Sequence, residues 1–159
     1  MSSRQPGRLE ITVNGKPHQV EATPDTPLLY VLRNELRLNA AKYGCGLSRC
    51  GACIVHVNGE AAFSCQYPVG DAAGAEVTTL EGLGMVDDPH PLQQAVLDEQ
   101  AAQCGYCIPG MIMKAAALLK HNRHPDEREI REALAGNLCR CGSYPRIVRA
   151  VMRAAETMP

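Results

Sequence analysis

Up to about residue 80 the chain alternates apolar and polar positions with the period of a strand, and beyond residue 91 the period lengthens to that of a helix. "RLEITV" and "KPHQVE" flank Asn14-Gly15, and "CIVHV" and "AAFSC" flank Asn58-Gly59. Asn-Gly suits a two-residue type I′ turn, whose central positions both need positive φ, so two β-hairpins are predicted. Between them "TPLLYVLRNEL" sets Leu28, Val31, Leu32 and Leu36 at i, i+3 and i+4 spacing, and Pro27 suits a first helical turn. One helix across a sheet follows. "AEVTTL" at 75–80 predicts a further strand, which completes a small α+β domain of the β-grasp kind and leaves the strand order open.

The Gly, Asp and Pro rich "EGLGMVDDPHP" reads as a linker and divides the chain into domains 1–81 and 82–159. In the second domain, Leu92 with Val96 is one helical pair and Met111, Ala115, Leu118 and Leu119 a longer stripe. Ile130 with Leu134, and Ile147 with Val151, Ala154 and Ala155, supply two more. Four short helices predict a small bundle, with the Met and Leu stripes as its core. Asp126 and Glu127 fall in a first helical turn, where negative charge suits the dipole, and Gly136 marks a C-terminal stop.

Sixteen basic and 17 acidic residues nearly cancel and no basic stripe stands out, so a nucleic-acid partner is not expected. The N-terminal "MSSRQPGRLEITV" has neither an apolar signal core nor a twin arginine, and nowhere do about 18 apolar residues run together. The expectation is a soluble, cytoplasmic protein without a membrane span, periplasmic only if exported with a partner or if a signal was removed.

The eight cysteines change the picture. Disulfides fit poorly with a reducing compartment and with locally clustered spacings, which suit convergence on a metal. Cys45, Cys50 and Cys53 are spaced C-x4-C-x2-C, with Cys65 further on, the plant-type arrangement for a [2Fe-2S] cluster. Gly44, Gly46 and Gly51 allow the backbone close to the inorganic sulfides, and the Asn58-Gly59 hairpin returns Cys65 toward Cys53. Zinc is the rival, since four thiolates with C-x2-C spacing also suit a tetrahedral site. His56 could be proposed as a ligand, but four cysteines already fill the places and it reads as a strand side chain.

Cys104-x2-Cys107 and Cys139-x-Cys141 make a second set of four. Each pair precedes a predicted helix, starting near Pro109 and near Ser143, whose positive N-terminal end would face the thiolates and favour a reduced cluster. Zinc fits this half nearly as well on spacing alone. Two one-electron clusters in one small chain form a wire, and no phosphate loop, nucleophile motif or His cluster marks a substrate site, so the chemistry is expected on partners.

At these residues the sequence resembles the small iron-sulfur subunit of the molybdenum hydroxylases, the xanthine oxidase family that includes aldehyde, isoquinoline, nicotinate and carbon monoxide oxidising enzymes. The match runs through "ITVNG", "KYGCGLSRCGAC", "TTLEGL", "QCGYCIPGM" and "GNLCRCGSYPRI". The resemblance implies a plant-type ferredoxin-like domain and a four-helix domain, with one [2Fe-2S] cluster each. It implies a large catalytic subunit whose molybdopterin lies near the second cluster, and an FAD-binding subunit or a haem cytochrome as acceptor near the first. By the same resemblance Gln103 hydrogen-bonds the pterin and Cys141 is the ligand that approaches it. The implied reaction is hydroxylation of an N-heterocycle or aldehyde with water-derived oxygen, the loop "KYGCGLSRCGAC" leaning toward heterocycles. A free two-cluster ferredoxin and a zinc-binding interaction module are the alternatives. Arg49 beside a ligand and Ile108 after Cys107 depart from the usual pattern. Arg49 reads as a solvated charge, with tuning of the first cluster or contact with a partner as the other readings.

Overall fold

The computed structural model describes residues 6–158. Strands β1 (Gly7–Val13) and β2 (Lys16–Ala22) form the first hairpin, and β3 (Ile54–Val57) and β4 (Glu60–Phe63) the second. Their turns are the ones the Asn-Gly pairs predict, with Asn14 at φ 52°, Gly15 at 72°, Asn58 at 52° and Gly59 at 82°. The last strand, β5 (Glu76–Thr78), enters the centre of the sheet, in the order β2-β1-β5-β3-β4. It runs parallel to β1 and antiparallel to β3. Asn14 fixes its end: the side-chain oxygen accepts from the Thr79 N–H at 2.9 Å, and the amide donates to the Thr79 hydroxyl at 3.0 Å.

The helix over the sheet departs from the ideal. After a single α turn, α1 (Leu28–Tyr30), residues Val31–Glu35 form a π-helical turn closed by the Leu36 N–H on the Val31 carbonyl. The extra residue in that turn rotates Leu36 to a half-buried position, while Leu29, outside the predicted stripe, is fully buried beside Leu28, Val31 and Leu32. These side chains pack with Ile11, Val13, Val55, Val69 and Val77 into the core beneath the sheet. Each such side chain, once buried, contributes about 1.5–3 kcal/mol.

A short helix, α2 (Leu80–Leu83), occupies the start of the expected linker, and Leu80 and Leu83 pack against the second core. Four helices follow, α3 (Pro91–Asp98), α4 (Ile108–His121), α5 (Glu127–Leu134) and α6 (Tyr144–Thr157). The architecture is therefore α+β, a ferredoxin-like sheet domain followed by a helical domain. Asp126 is the N-cap of α5 rather than part of its first turn. It accepts from the Glu129 N–H at 2.7 Å while Glu129 returns to the Asp126 N–H at 2.8 Å, a reciprocal capping box.

The two halves meet where α4 lies against β3 and β4. His56, buried on β3, donates from Nε2 to the Met113 carbonyl at 2.6 Å. At the far end of α4, His121 lies 2.9 Å and Lys120 3.7 Å from the Glu60 carboxylate. This packing carries the first turn of α4, and the cysteines before it, to the loop that precedes β3.

Candidate metal centres

The loop before β3 wraps its own sulfurs. The N–H groups of Leu47 and Arg49 both donate to Cys45 Sγ at 3.3 Å, and the Cys45 N–H donates to Cys50 Sγ at 3.4 Å. Donation by Leu47 and Arg49 lowers the Cys45 thiol to about 7. Gly44 must lack a side chain, because a β-carbon there would stand 2.7 Å from Cys50 Sγ. Burial pushes Cys53 up to about 12, with the neighbouring Cys65 thiol adding to the rise. Cys45 thus interacts with Cys50, and Cys53 with Cys65. Arg49 is exposed, and its contact with the site is through its backbone N–H.

The second set is drawn from both ends of the helical domain. Cys107 is the N-cap of α4, and Ser143, the N-cap of α6, lies 3.2 Å from Cys139 Sγ through its hydroxyl, so both helices start beside these thiols. Ile108 is buried as the first residue of α4. Burial raises Cys107 to about 12. Burial also raises Cys139, but hydrogen bonds from Ser143 outweigh it and bring that thiol down to about 7. Cys104, exposed, is lowered by the Tyr106 N–H and by Cys141. Here too the side chains pair, Cys104 with Cys141 and Cys107 with Cys139.

None of the eight cysteines is in a disulfide. Among the described residues no three Cys, His, Asp or Glu side chains gather as a single-ion site requires. The thiols come instead as two pairs in each set, a donor set that fits a two-iron cluster with two thiolates on each iron. His56 points away from them, to Met113.

The two loops touch directly. The Leu138 N–H donates to the Cys50 carbonyl at 2.9 Å, and the Asn137 side-chain amide donates to the Gly51 carbonyl at 3.3 Å. Gly110 in α4 approaches Gly51 from the other side, and the Tyr106 hydroxyl donates to the Tyr43 carbonyl. Asn137, Gly110 and Tyr144 carry no cysteine and were not singled out by spacing. The signals for them in the chain were a glycine inside an apolar helical stripe and an asparagine beside "CRC".

Facing away from this junction, Gln103 and Cys141 line one cleft of about 460 Å3 together with Gln100, Ser143, Arg146 and Arg149. Gln103 is exposed and Cys141 half-buried.

Residues 11–80 match the family described as "2Fe-2S iron-sulfur cluster binding domain", and residues 79–152 that described as "[2Fe-2S] binding domain". An iron-sulfur relative, one of the subunits of nicotinate dehydrogenase from Pseudomonas putida, is 59% identical over 149 residues, covering 94% of this chain and 95% of the relative. The chain belongs to the small iron-sulfur subunits of the molybdenum hydroxylases. The alpha chain of isoquinoline 1-oxidoreductase from Brevundimonas diminuta is 53% identical over 152 residues, covering 93% and 97%. In quinoline 2-oxidoreductase from Pseudomonas putida 86, a chain of 35% identity superposes with a TM-score of 0.91 over 96% of this chain and 95% of that one. The small subunit is an electron-transfer component with two [2Fe-2S]-binding domains, part of a heteromeric oxidoreductase. Among the described residues no helix is long and apolar enough to cross a membrane.

Proposed function

We propose that the protein relays electrons singly from a molybdopterin-bearing large subunit, docked at the Gln103–Cys141 cleft, toward an acceptor at the Cys45–Cys50 loop. The overall reaction is hydroxylation of an N-heterocycle, or of an aldehyde, with water-derived oxygen. Cys45, Cys50, Cys53 and Cys65 hold one cluster, and Cys104, Cys107, Cys139 and Cys141 the other. Each cluster, when bound, supplies one-electron redox chemistry.

The observation that carries the reading is the hydrogen bond from Leu138 to Cys50, which joins a neighbour of one thiol in the second set to a thiol-bearing residue of the first. The chain's own part is to hold and orient. N–H groups at Cys45 and Cys139 favour the thiolate form that binds iron, as the lowering of both thiols to about 7 reflects. The N-termini of α4 and α6 lie beside the second set and favour added negative charge there. On this reading Gln103, exposed at the rim of the cleft, donates to or accepts from the pterin of the large subunit, and Cys141 on the opposite wall brings the second cluster close to it. An N-heterocyclic substrate is supported by the similarity of this chain to components of nicotinate and isoquinoline enzymes. The acceptor is a flavin subunit or a cytochrome.

The test is electron paramagnetic resonance on the dithionite-reduced complex as purified, with iron, sulfide and molybdenum determined on the same sample and with nicotinate, isoquinoline and an aldehyde offered as reductants. Two distinct [2Fe-2S] signals, with molybdenum present and bleaching by a heterocycle, are expected. A single signal, or zinc in place of iron at the "CRC" half, would overturn it.

A further inference from the structure

Between the two cysteine loops one polar side chain is almost wholly buried, that of Asn137, at 1% exposure. Its amide reaches the Gly51 carbonyl, while its own N–H donates to the Leu134 carbonyl at 2.9 Å and ties the turn to the end of α5. The next fixed point is the Tyr144 hydroxyl. It donates to the Asn137 carbonyl and accepts from the Cys139 N–H at 2.9 Å, so one oxygen grips the residue before Leu138 and the residue after it. The Leu138 side chain is 61% exposed and anchors nothing. The direction of the Leu138 N–H, toward the Cys50 carbonyl, is therefore set by Tyr144 and Asn137 and by no packing of its own. Gly51, at φ +73°, leaves no room for a side chain here, since a β-carbon would lie 2.3 Å from the Asn137 amide nitrogen.

We propose that Tyr144 and Asn137 are positioning residues for electron exchange between the two thiol-held groups. Tyr144 frames the 137–139 turn, Asn137 seats it on the first loop, and together they hold the Leu138–Cys50 hydrogen bond in place. The inference rests on the reading that each set of four thiols holds a [2Fe-2S] cluster. The exchange moves one electron, leaving one group oxidised and the other reduced, with no bond made or broken and no proton displaced. A purely structural role would show itself as lost stability or lost iron. A positioning role leaves both in place and alters the coupling.

Tyr144→Phe separates the two, because the ring still packs against the helical core while the hydroxyl is gone. In the complex carrying this variant, reduced with dithionite, iron and sulfide content and both midpoint potentials are expected to stay at wild-type values. The magnetic splitting between the two reduced signals should shrink, and freeze-quench sampling should show electrons reaching the first cluster several-fold more slowly. Amide exchange at Leu138 should accelerate. Asn137→Asp, which keeps the shape but removes the donor to Gly51, should act in the same direction, and Leu138→Ala should behave as wild type. Unchanged splitting and rate in Tyr144→Phe would overturn the proposal, as would loss of iron from that variant. A wild-type complex with one [2Fe-2S] signal would instead remove the reading beneath it.

Discussion

A β-carbon at Gly110 would stand 1.9 Å from the carbonyl oxygen of Gly51, and these two glycines therefore let α4 and the first cysteine loop approach more closely than any residue with a side chain could. The obstacle is backbone, so no rotamer change relieves it. Gly110→Ala is expected to cost about 1–3 kcal/mol, the range for overpacking a closed interface, or more if the loop cannot shift. Thermal unfolding of the purified protein checks this, with Gly136→Ala as the contrast. Nothing lies within 4 Å of a β-carbon at Gly136, and that change should leave the melting temperature where it is or raise it.

Gly44→Ala acts on one site alone. Its new methyl would meet Cys50 Sγ at 2.7 Å, displacing a thiol that the first cluster needs, while the second set lies on other loops. The expected protein is folded, carries half the wild-type iron and sulfide, and keeps one of the two resonance signals. Equal loss of both signals would contradict the assignment of Cys50 to a separate site.

His56 gives the stability a pH dependence. Burial lowers its folded-state pKa below 6.5, with Lys120 lowering it further and the Met113 carbonyl and Glu60 opposing. A lowered pKa means that the unfolded chain binds the proton more readily. The stabilising contribution is therefore whole above about pH 6.5 and is lost as the pH falls below it. His90, also lowered by burial and by His56, adds a contribution of the same sign, since its Nδ1 accepts the Leu92 N–H at 3.2 Å and cannot do so once protonated. His56→Gln, which can still donate to Met113, should flatten the fall in melting temperature below about pH 6.5 and leave the smaller share due to His90.

Asp126→Ala removes one side of the α5 capping box, at a cost of about 1 kcal/mol. Because the cap lies on an exposed helix start away from the thiols, chemical denaturation should shift while iron content and both signals remain. Asp126→Ser, which retains an acceptor, should recover most of the loss.

The elements set by local chemistry were open to reading from the chain. Asn14-Gly15 and Asn58-Gly59 announce their turns because few residue pairs tolerate two positive φ angles in succession. The four C-terminal helices announce themselves through stripes such as Met111, Ala115 and Leu119. Both cysteine sets were visible for the same reason, since their ligand spacings are short. What escaped depends on partners distant in sequence. The entry of β5 between β1 and β3 rests on pairings such as Val13 with Val77, which no window of a few residues contains. The π turn at Val31–Glu35 shifts the buried face by one residue without any glycine or proline to mark it. The seam of Gly51, Gly110 and Asn137 joins three segments, and each of these residues has an ordinary local reading as a turn, a helix glycine or a loop amide.

The place of β5 has a consequence for how the protein comes into being. The two hairpins share no strand until Glu76–Thr78 is laid between them, although all four cysteines of the first loop precede residue 66. During synthesis those thiols emerge before the sheet that will enclose them can close, and the closing strand leads straight into α2, which belongs to the other core. Non-local closure of this kind is slow relative to hairpin and helix formation. The first loop is thus open to incoming iron and sulfide on the nascent chain, and shut only when the helical half has begun to fold.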